Sequence, residues 1–293
     1  MIEIIHRSHG IHEAALHELC VQGGIYHDAG VDVELVDGTG PRWRTAAAAP
    51  AAATVAVGGV VADWLRGDRD WNVHFIATVK PLMWVVGTTS ADGAPGLAGR
   101  RIATTDRGHM PSLFLRLVLE RHGLDPDSDV EFVEVRDRPD RLRLLERGDV
   151  DASLLGPEGL ALAGERFSSL LYVGDHVEFP TVGFAARPGL DASVAAAIAG
   201  AMAIGLDRMR SDTEAAVSAM RVVEPDLPSE VARAVAADVI APDWNGPAWA
   251  ASGNLGDVAA LAAMVAADPA PDDELRRLLH GWVDDRSTRR VDG

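Results

Sequence analysis

The sequence predicts an α/β protein of two similar lobes, with a helical C-terminal third packed on the first lobe. Three observations carry this expectation. An order of strand, turn, helix, glycine, strand, connection, strand, glycine, helix starts at Ile2 and runs again from Arg101. Residues 190–283 are patterned almost wholly as helix, with breaks at Pro225, Pro228, Pro242, Gly246, Pro247 and 269–271. The 293 residues, 47% of them hydrophobic, suffice for two buried cores and exclude a disordered chain.

Taken in order, Ile2–Ile5 is an apolar strand that stops at a polar turn, and residues 11–29 follow as a helix ending near Gly30. Val31–Val36 alternates as a strand and turns at Asp37-Gly38. Thr54–Val57 is apolar and β-branched, hence a buried strand. Gly58-Gly59 follows, and a helix starts at Val60. Val73–Ala77 and Leu82–Val86 are two more strands. Arg101–Thr104 is a strand, Asp106–Pro111 a turn and Ser112–His122 an amphipathic helix with Leu113, Phe114, Leu117 and Val118 on one face. Val130–Val135, Asp137–Arg147 and Val150–Leu155 read as strand, charged helix and buried strand, and Gly156-Pro157 opens another helix. After the loop 174–180, Thr181–Ala186 is a strand. Right-handed crossovers predict a parallel sheet in each half. The expected boundaries are 1–87 for the first part of lobe I, 88–184 for lobe II and 185–293 for the return to lobe I. The two strand crossings, near 86–90 and 180–187, predict a hinge and a cleft.

With 27 basic and 44 acidic residues the net charge is −17, which disfavours nucleic acid or an anionic membrane as a partner. The one cysteine, Cys20, excludes an internal disulfide and a paired-cysteine metal site, and its helical surroundings make it a small buried hydrophobe. No stretch reads as a spanning helix of roughly 20 apolar residues. Glu3, His6 and Arg7 interrupt the first apolar run too early for a secretory leader, so a cytoplasmic location is expected.

The segments "GGIYHDAGVDVELVDG", "GLAGRRIATTDRGHMPSLFLRLVLERHGLDPDSDVEFVEV" and "LLERGDVDASLLGPEGLALA" agree in order and spacing with one family. They resemble the type II periplasmic binding proteins of the sulfonate, taurine, nitrate and thiamine-precursor kind, over about residues 1–190. The resemblance implies a two-lobed type II periplasmic-binding-protein fold with a small anionic ligand between the lobes. The same fold includes cytosolic enzymes, among them desulfinases of aromatic sulfinates and some aromatic decarboxylases. In the desulfinases a catalytic cysteine sits in the turn after the first strand. His9 stands in that place here, which removes thiolate chemistry at that spot. The arginine that precedes the double glycine in those enzymes has no counterpart, because Ala56 and Val57 precede Gly58-Gly59.

In such a fold the strand-to-helix turns line the ligand site, where helix N-termini offer free N–H groups and glycine admits close approach. The candidate ligand contacts are therefore Ser8 and Gly10, Gly58 and Gly59, Asp106, Arg107 and Gly108, and Gly156. Arg42 and Trp43, beside Arg44, could clamp an aromatic acid by bidentate pairing and stacking. His9 and His109 are the candidate catalytic residues, able to deliver or take a proton as neutral histidines. His6, His9 and His12 at three-residue spacing lack a carboxylate partner and do not share one face, so no metal is expected. His74 and Lys80 read as a histidine at a sheet face and a solvated lysine. No phosphate-binding glycine motif and no GxSxG elbow is present, and no cofactor is expected.

The leading expectation is a cytosolic enzyme on a solute-binding scaffold. It would carry out a cofactor-free lyase or hydrolase step, such as decarboxylation or desulfination, on a small, aromatic carboxylate or sulfur acid. The alternative is the substrate-binding component of an ABC importer, with a permease as partner, and a third reading is a small-molecule sensor. Neither nucleic acid nor membrane insertion belongs to the expected partners.

Overall fold

The first strand is already a central one. β1 (Ile2–His6) runs parallel to β2 (Val33–Asp37) on one side and to β3 (Ala53–Thr54) on the other, with Ile4 opposite Leu35 and Ala53. Ile4 and Ile5 are buried, as an apolar β-branched run between two neighbours requires. In this computed structural model the residues described are 1–6, 11–38, 46–88, 93–244 and 256–265.

The helix expected over 11–29 is two helices. α1 (Ile11–Gln22) ends at Gly23-Gly24, and α2 (Ile25–Asp28) is a single turn. Gly24 has φ 68°, a left-handed conformation that only glycine adopts without strain. The run Thr54–Val57 is also not strand throughout, since α3 (Val57–Leu65) begins at its last residue. The Thr54 hydroxyl donates to the Ile5 carbonyl at 2.6 Å and accepts from the Ala56 N–H at 3.2 Å. The Val55 N–H donates to the same carbonyl at 3.3 Å, and the Thr54 side chain satisfies the Ala56 N–H where the chain leaves the ladder for the helix.

The first sheet is completed by β4 (Asn72–Thr78) and β10 (Val182–Ala186), in the order β2-β1-β3-β10-β4. β10 is antiparallel to both β3 and β4. The second sheet holds β5 (Trp84–Gly87), β6 (Arg101–Thr104), β7 (Glu131–Glu134), β8 (Ala152–Leu155) and β9 (Ser168–Tyr172). Its order is β7-β6-β8-β5-β9, with β6 parallel to β7 and β8, and β5 antiparallel to β8 and β9. Both sheets are therefore mixed rather than wholly parallel. The strand in the fourth place of each follows a chain crossing and not a helical crossover, so the right-handed rule does not fix its direction. β9 pairs where no strand was expected, and there Tyr172 stacks on Trp84 with ring centroids 4.4 Å apart.

The described residues divide into two compact units, Met1–Val79 with the part of the chain from Pro180 to Ala259, and Lys80–Phe179 with Ala260–Val265. The expected crossings at 87/88 and 184/185 shift to 79/80 and 179/180, because β5 pairs within the second sheet and β10 within the first.

In the second unit, α4 (Met110–Arg121), α5 (Arg138–Arg147) and α6 (Pro157–Ala163) connect the strands. Arg141 on α5 is buried and spends its guanidinium on the carbonyls of Leu154, Val135 and Arg136, at 3.0, 2.9 and 2.7 Å. A buried cation is held there by backbone acceptors left over at strand ends.

In the first unit, α7 (Ala192–Ser211) and α8 (Thr213–Val223) begin at Asp191 and Asp212, whose carboxylates accept from first-turn N–H groups. α7 buries Ala195, Ile198, Ala201, Met202, Gly205, Leu206 and Met209, a stripe at helical spacing. It packs on α1 and β4, and α8 packs on α1. By length and composition α7 could cross a membrane, contrary to the expectation that no stretch is long enough, yet that stripe is spent on the core of this unit. α9 (Ser229–Val235) continues through a π-helical turn, Ala236–Ile240, and α10 (Gly256–Val265) follows. Trp244 is fully buried and meets the His12 ring edge-on at 5.8 Å.

Candidate functional site

The strand-to-helix turn of the second unit is the best-defined candidate. β6 ends at Thr104, and α4 starts at Met110 with His109 as its N-cap residue. Thr104 and Thr105 on one side of the turn and Ser112 in the first turn of α4 are buried, and none of their three hydroxyls has a hydrogen-bond partner among the described residues. A buried hydroxyl left unsatisfied costs about 1–3 kcal/mol. Such groups need a reason, and a ligand oxygen supplies one. No side chain caps the start of α4, and Pro111 removes one of the N–H groups that would otherwise be left over. Hydroxyls and free amides are neutral donors, which suit an oxyanion without demanding a fixed countercharge.

The charged residues of the turn have protein partners. Asp106 pairs with Arg136 at 2.7 Å. Arg107 pairs with Asp127 at 2.7 Å, and Asp127 also holds Arg116 of α4 at 2.7 Å. The Arg116 and Arg107 guanidinia keep the Asp127 carboxyl below the usual carboxylate range. These pairs tie the turn to the end of β7 and to α4, so Asp106 and Arg107 position the turn. Gly108 and His109 are exposed, and a β-carbon on Gly108 would meet nothing within 4 Å.

Gly156 is the N-cap residue of α6, in extended backbone. Two residues on, the Glu158 carboxylate is 1% exposed and accepts from Arg138 at 2.9 Å. An acid in the first turn of α6 complements the helix dipole and occupies the place that an anionic ligand would need.

In the first unit the Gly58 N–H donates to the Thr181 carbonyl at 3.0 Å, and a β-carbon on Gly58 would lie 3.3 Å from the Thr181 Cα. Its glycine is accounted for by this backbone approach. Gly59 lies in the first turn of α3. Ser8, His9 and Gly10, and Arg42 and Trp43 with Arg44, lie outside the described residues. His6, at the end of β1, has its Nε2 3.9 Å from Asp37. Cys20 is fully buried, and burial pushes its thiol up to about 12, against a lowering hydrogen bond from Tyr26. It is unfit as a nucleophile. Burial lowers the His74 pKa, and its ring lies 5.7 Å from Phe184 at the sheet face. Lys80 is paired with Asp175 at 3.4 Å and lies over the Tyr172 ring.

Sequence reasoning placed the second-unit turn among the candidates through Asp106, Arg107 and Gly108, and passed over its hydroxyls. The signal was present as Thr-Thr before the turn and Ser after it. Their lack of partners is a tertiary fact that no local pattern carries.

The alkanesulfonate-binding protein SsuA from Xanthomonas axonopodis is similar in structure, at 14% identity and TM-score 0.63, over 87% of this chain and 91% of that one. A desulfurization enzyme, DSZB, is similar at 15% identity and TM-score 0.68, over 94% and 99%. A ligand-binding component of an ABC-type import system from Staphylococcus aureus is similar at 12% identity and TM-score 0.67, over 93% and 94%. These likenesses show a periplasmic-binding-protein fold. No curated protein sequence matches the chain. The family described as NMT1/THI5 like matches residues 19–166, just over half of the length, a span that holds the second-unit turn and most of its sheet. By that match the chain belongs to the NMT1/THI5-like family.

Proposed function

We propose that the protein binds a small oxyanionic ligand, with a carboxylate, sulfonate or sulfinate head, at the turn between β6 and α4. The observation that carries this reading is the set of buried hydroxyls without partners, on Thr104, Thr105 and Ser112. The similarity in fold to a sulfonate-binding protein and to a desulfurization enzyme supports an anionic sulfur acid among the candidates. A ligand oxygen here accepts from hydroxyls and from α4 amides, and each such bond to a charged group contributes about 1.5–3 kcal/mol.

The reading extends to chemistry as a cofactor-free lyase step on an aromatic sulfinate or carboxylate in the cytoplasm. His109 adjoins the proposed anion site as the N-cap residue of α4, and there it would pass a proton to the ring carbon as its bond to sulfur or to the carboxyl carbon breaks, releasing carbon dioxide, or sulfur dioxide that water then hydrates to sulfite. The second reading, a receptor for an ABC importer, has the likeness to SsuA and to the import component behind it, and it predicts binding without product.

The test is calorimetric titration of the chain with small alkyl and aryl sulfonates, sulfinates and carboxylates, for wild type, Ser112→Ala and Thr105→Val. For any ligand found, each variant weakens binding about tenfold or more, while the free variant is no less stable than wild type, because it loses only an unsatisfied group. Wild-type affinity in both variants refutes the site. Product from an aryl sulfinate or carboxylate, lost in His109→Ala, supports the lyase. Tight binding with no product leaves the receptor.

A further inference from the structure

Two imidazoles meet in the second unit, away from the turn between β6 and α4. His122 is the C-cap residue of α4, and His176 lies in the segment that follows β9. His122 Nε2 and His176 Nδ1 are 3.4 Å apart, and the rings cross at 79° with centroids 5.0 Å apart. That separation is long for a nitrogen hydrogen bond, which clusters at about 2.7–3.2 Å. It equals the spacing of two nitrogens on one tetrahedral zinc ion, since Zn–N bonds of about 2.0–2.1 Å place neighbouring ligands about 3.3–3.4 Å apart.

Both rings sit on fixed backbone. The His122 N–H donates to the Val118 and Leu119 carbonyls, and the His176 N–H donates to the Val173 carbonyl at 3.0 Å. The Arg121 guanidinium donates to the His176 carbonyl at 2.7 Å, which staples this segment to the end of α4. A rigid pair loses little freedom on chelation. The surrounding charge is mixed. Arg121 opposes a cation, whereas Asp175 and the last carbonyls of α4, at the negative end of its dipole, favour one. Lys80 is 3.4 Å from Asp175 and offsets part of that carboxylate.

The geometry points to a two-histidine site for a divalent transition metal of the zinc, nickel or copper class, formed by His122 Nε2 and His176 Nδ1, with water completing the shell. Among the described residues no group of three or more histidine, cysteine or acidic side chains could hold a metal. The site is therefore bidentate, open and exchangeable. A bound ion cross-links the end of α4 to the segment that leads to Phe179, the last residue before the chain leaves this unit. The inference is independent of the oxyanion site.

The test is a calorimetric titration of the untagged chain with Zn2+, together with His122→Ala, His176→Ala, the double variant and His27→Ala as an exposed control. Wild type and His27→Ala bind one Zn2+ that each site variant binds about tenfold or more weakly, and the double variant is little worse than either single one, as a two-point chelate demands. Saturating Zn2+ raises the Tm of wild type above that of the site variants. Equal Zn2+ affinity in wild type and both site variants, or no Zn2+ binding by wild type, overturns the proposal.

Discussion

His17 shows how one buried residue sets a pH limit. It is fully buried on α1, its Nδ1 lies 2.5 Å from the Tyr26 hydroxyl, and its Nε2 has no partner among the described residues. Burial, with His6 second, lowers its pKa from 6.5 to about 3. The folded protein therefore keeps His17 neutral while the unfolded chain takes up a proton below pH 6.5. Its contribution is complete above 6.5 and is lost progressively as pH falls to about 3. Each unit of that difference is worth about 1.4 kcal/mol. His17→Gln should flatten the fall of unfolding free energy between pH 6.5 and pH 3, measured by urea titration at a series of pH values. An unchanged slope would show that His17 is protonated in the folded state. No sequence pattern announced this residue, because a histidine on an apolar helix face has the same local signature whether it is solvated or buried.

At the scale of elements, the contact of α1 with α7 depends on one missing side chain. A β-carbon on Gly205 of α7 would lie 2.3 Å from Cys20 Sγ of α1. Gly205→Ala should lower stability by about 1–3 kcal/mol through overpacking, and Cys20→Ala in the same chain should restore most of it. Chemical denaturation of the two variants measures both effects, and additive losses would refute the contact. Most helices were legible through their apolar periodicity, and β1 and β4 through continuous apolar runs buried on both faces, Ile4-Ile5 and Phe75-Ile76-Ala77. β9 was not, since its first two residues are Ser168-Ser169 and its apolar run, from Leu170, is short and does not alternate. The end of β3 was not legible either, since the Thr54 hydroxyl, and not hydrophobicity, decides it. The candidate site divides the same way: the turn at Asp106–Gly108 was readable from its glycine and helix start, whereas the ion pairs of Asp106 and Arg107 depend on Arg136 and Asp127, far along the chain.

For the whole molecule, the two sheets differ in how much of the chain they need. The second takes all its strands from residues 84–172, one continuous stretch. The first cannot close without β10, which enters between β3 and β4. A chain of residues 80–179 should thus fold alone with a cooperative transition, while residues 1–79 should not. Circular dichroism and urea unfolding of the two fragments test this, and a cooperative transition in 1–79 would contradict it. The strand order in each sheet became readable only through this topology. The sequence echo between the halves is real in the pairs β1 with β2 and β6 with β7. It could not reveal that each half lends one strand position to a segment arriving from a crossing.

That late strand has a consequence during synthesis. β4 ends at Thr78 and β10 begins at Val182, so roughly a hundred residues must leave the ribosome before β3 and β4 gain the neighbour they share. At about 5–20 residues per second the nascent chain carries two unpaired strand edges for about 5–20 seconds. Phe75 and Ile76, fully buried in the finished sheet, are exposed in that interval. Gly183, which faces the Phe75 carbonyl across the final pair, is where the wait ends: a β-carbon there would lie 2.0 Å from that oxygen, so any larger residue would delay or block the closing of the seam.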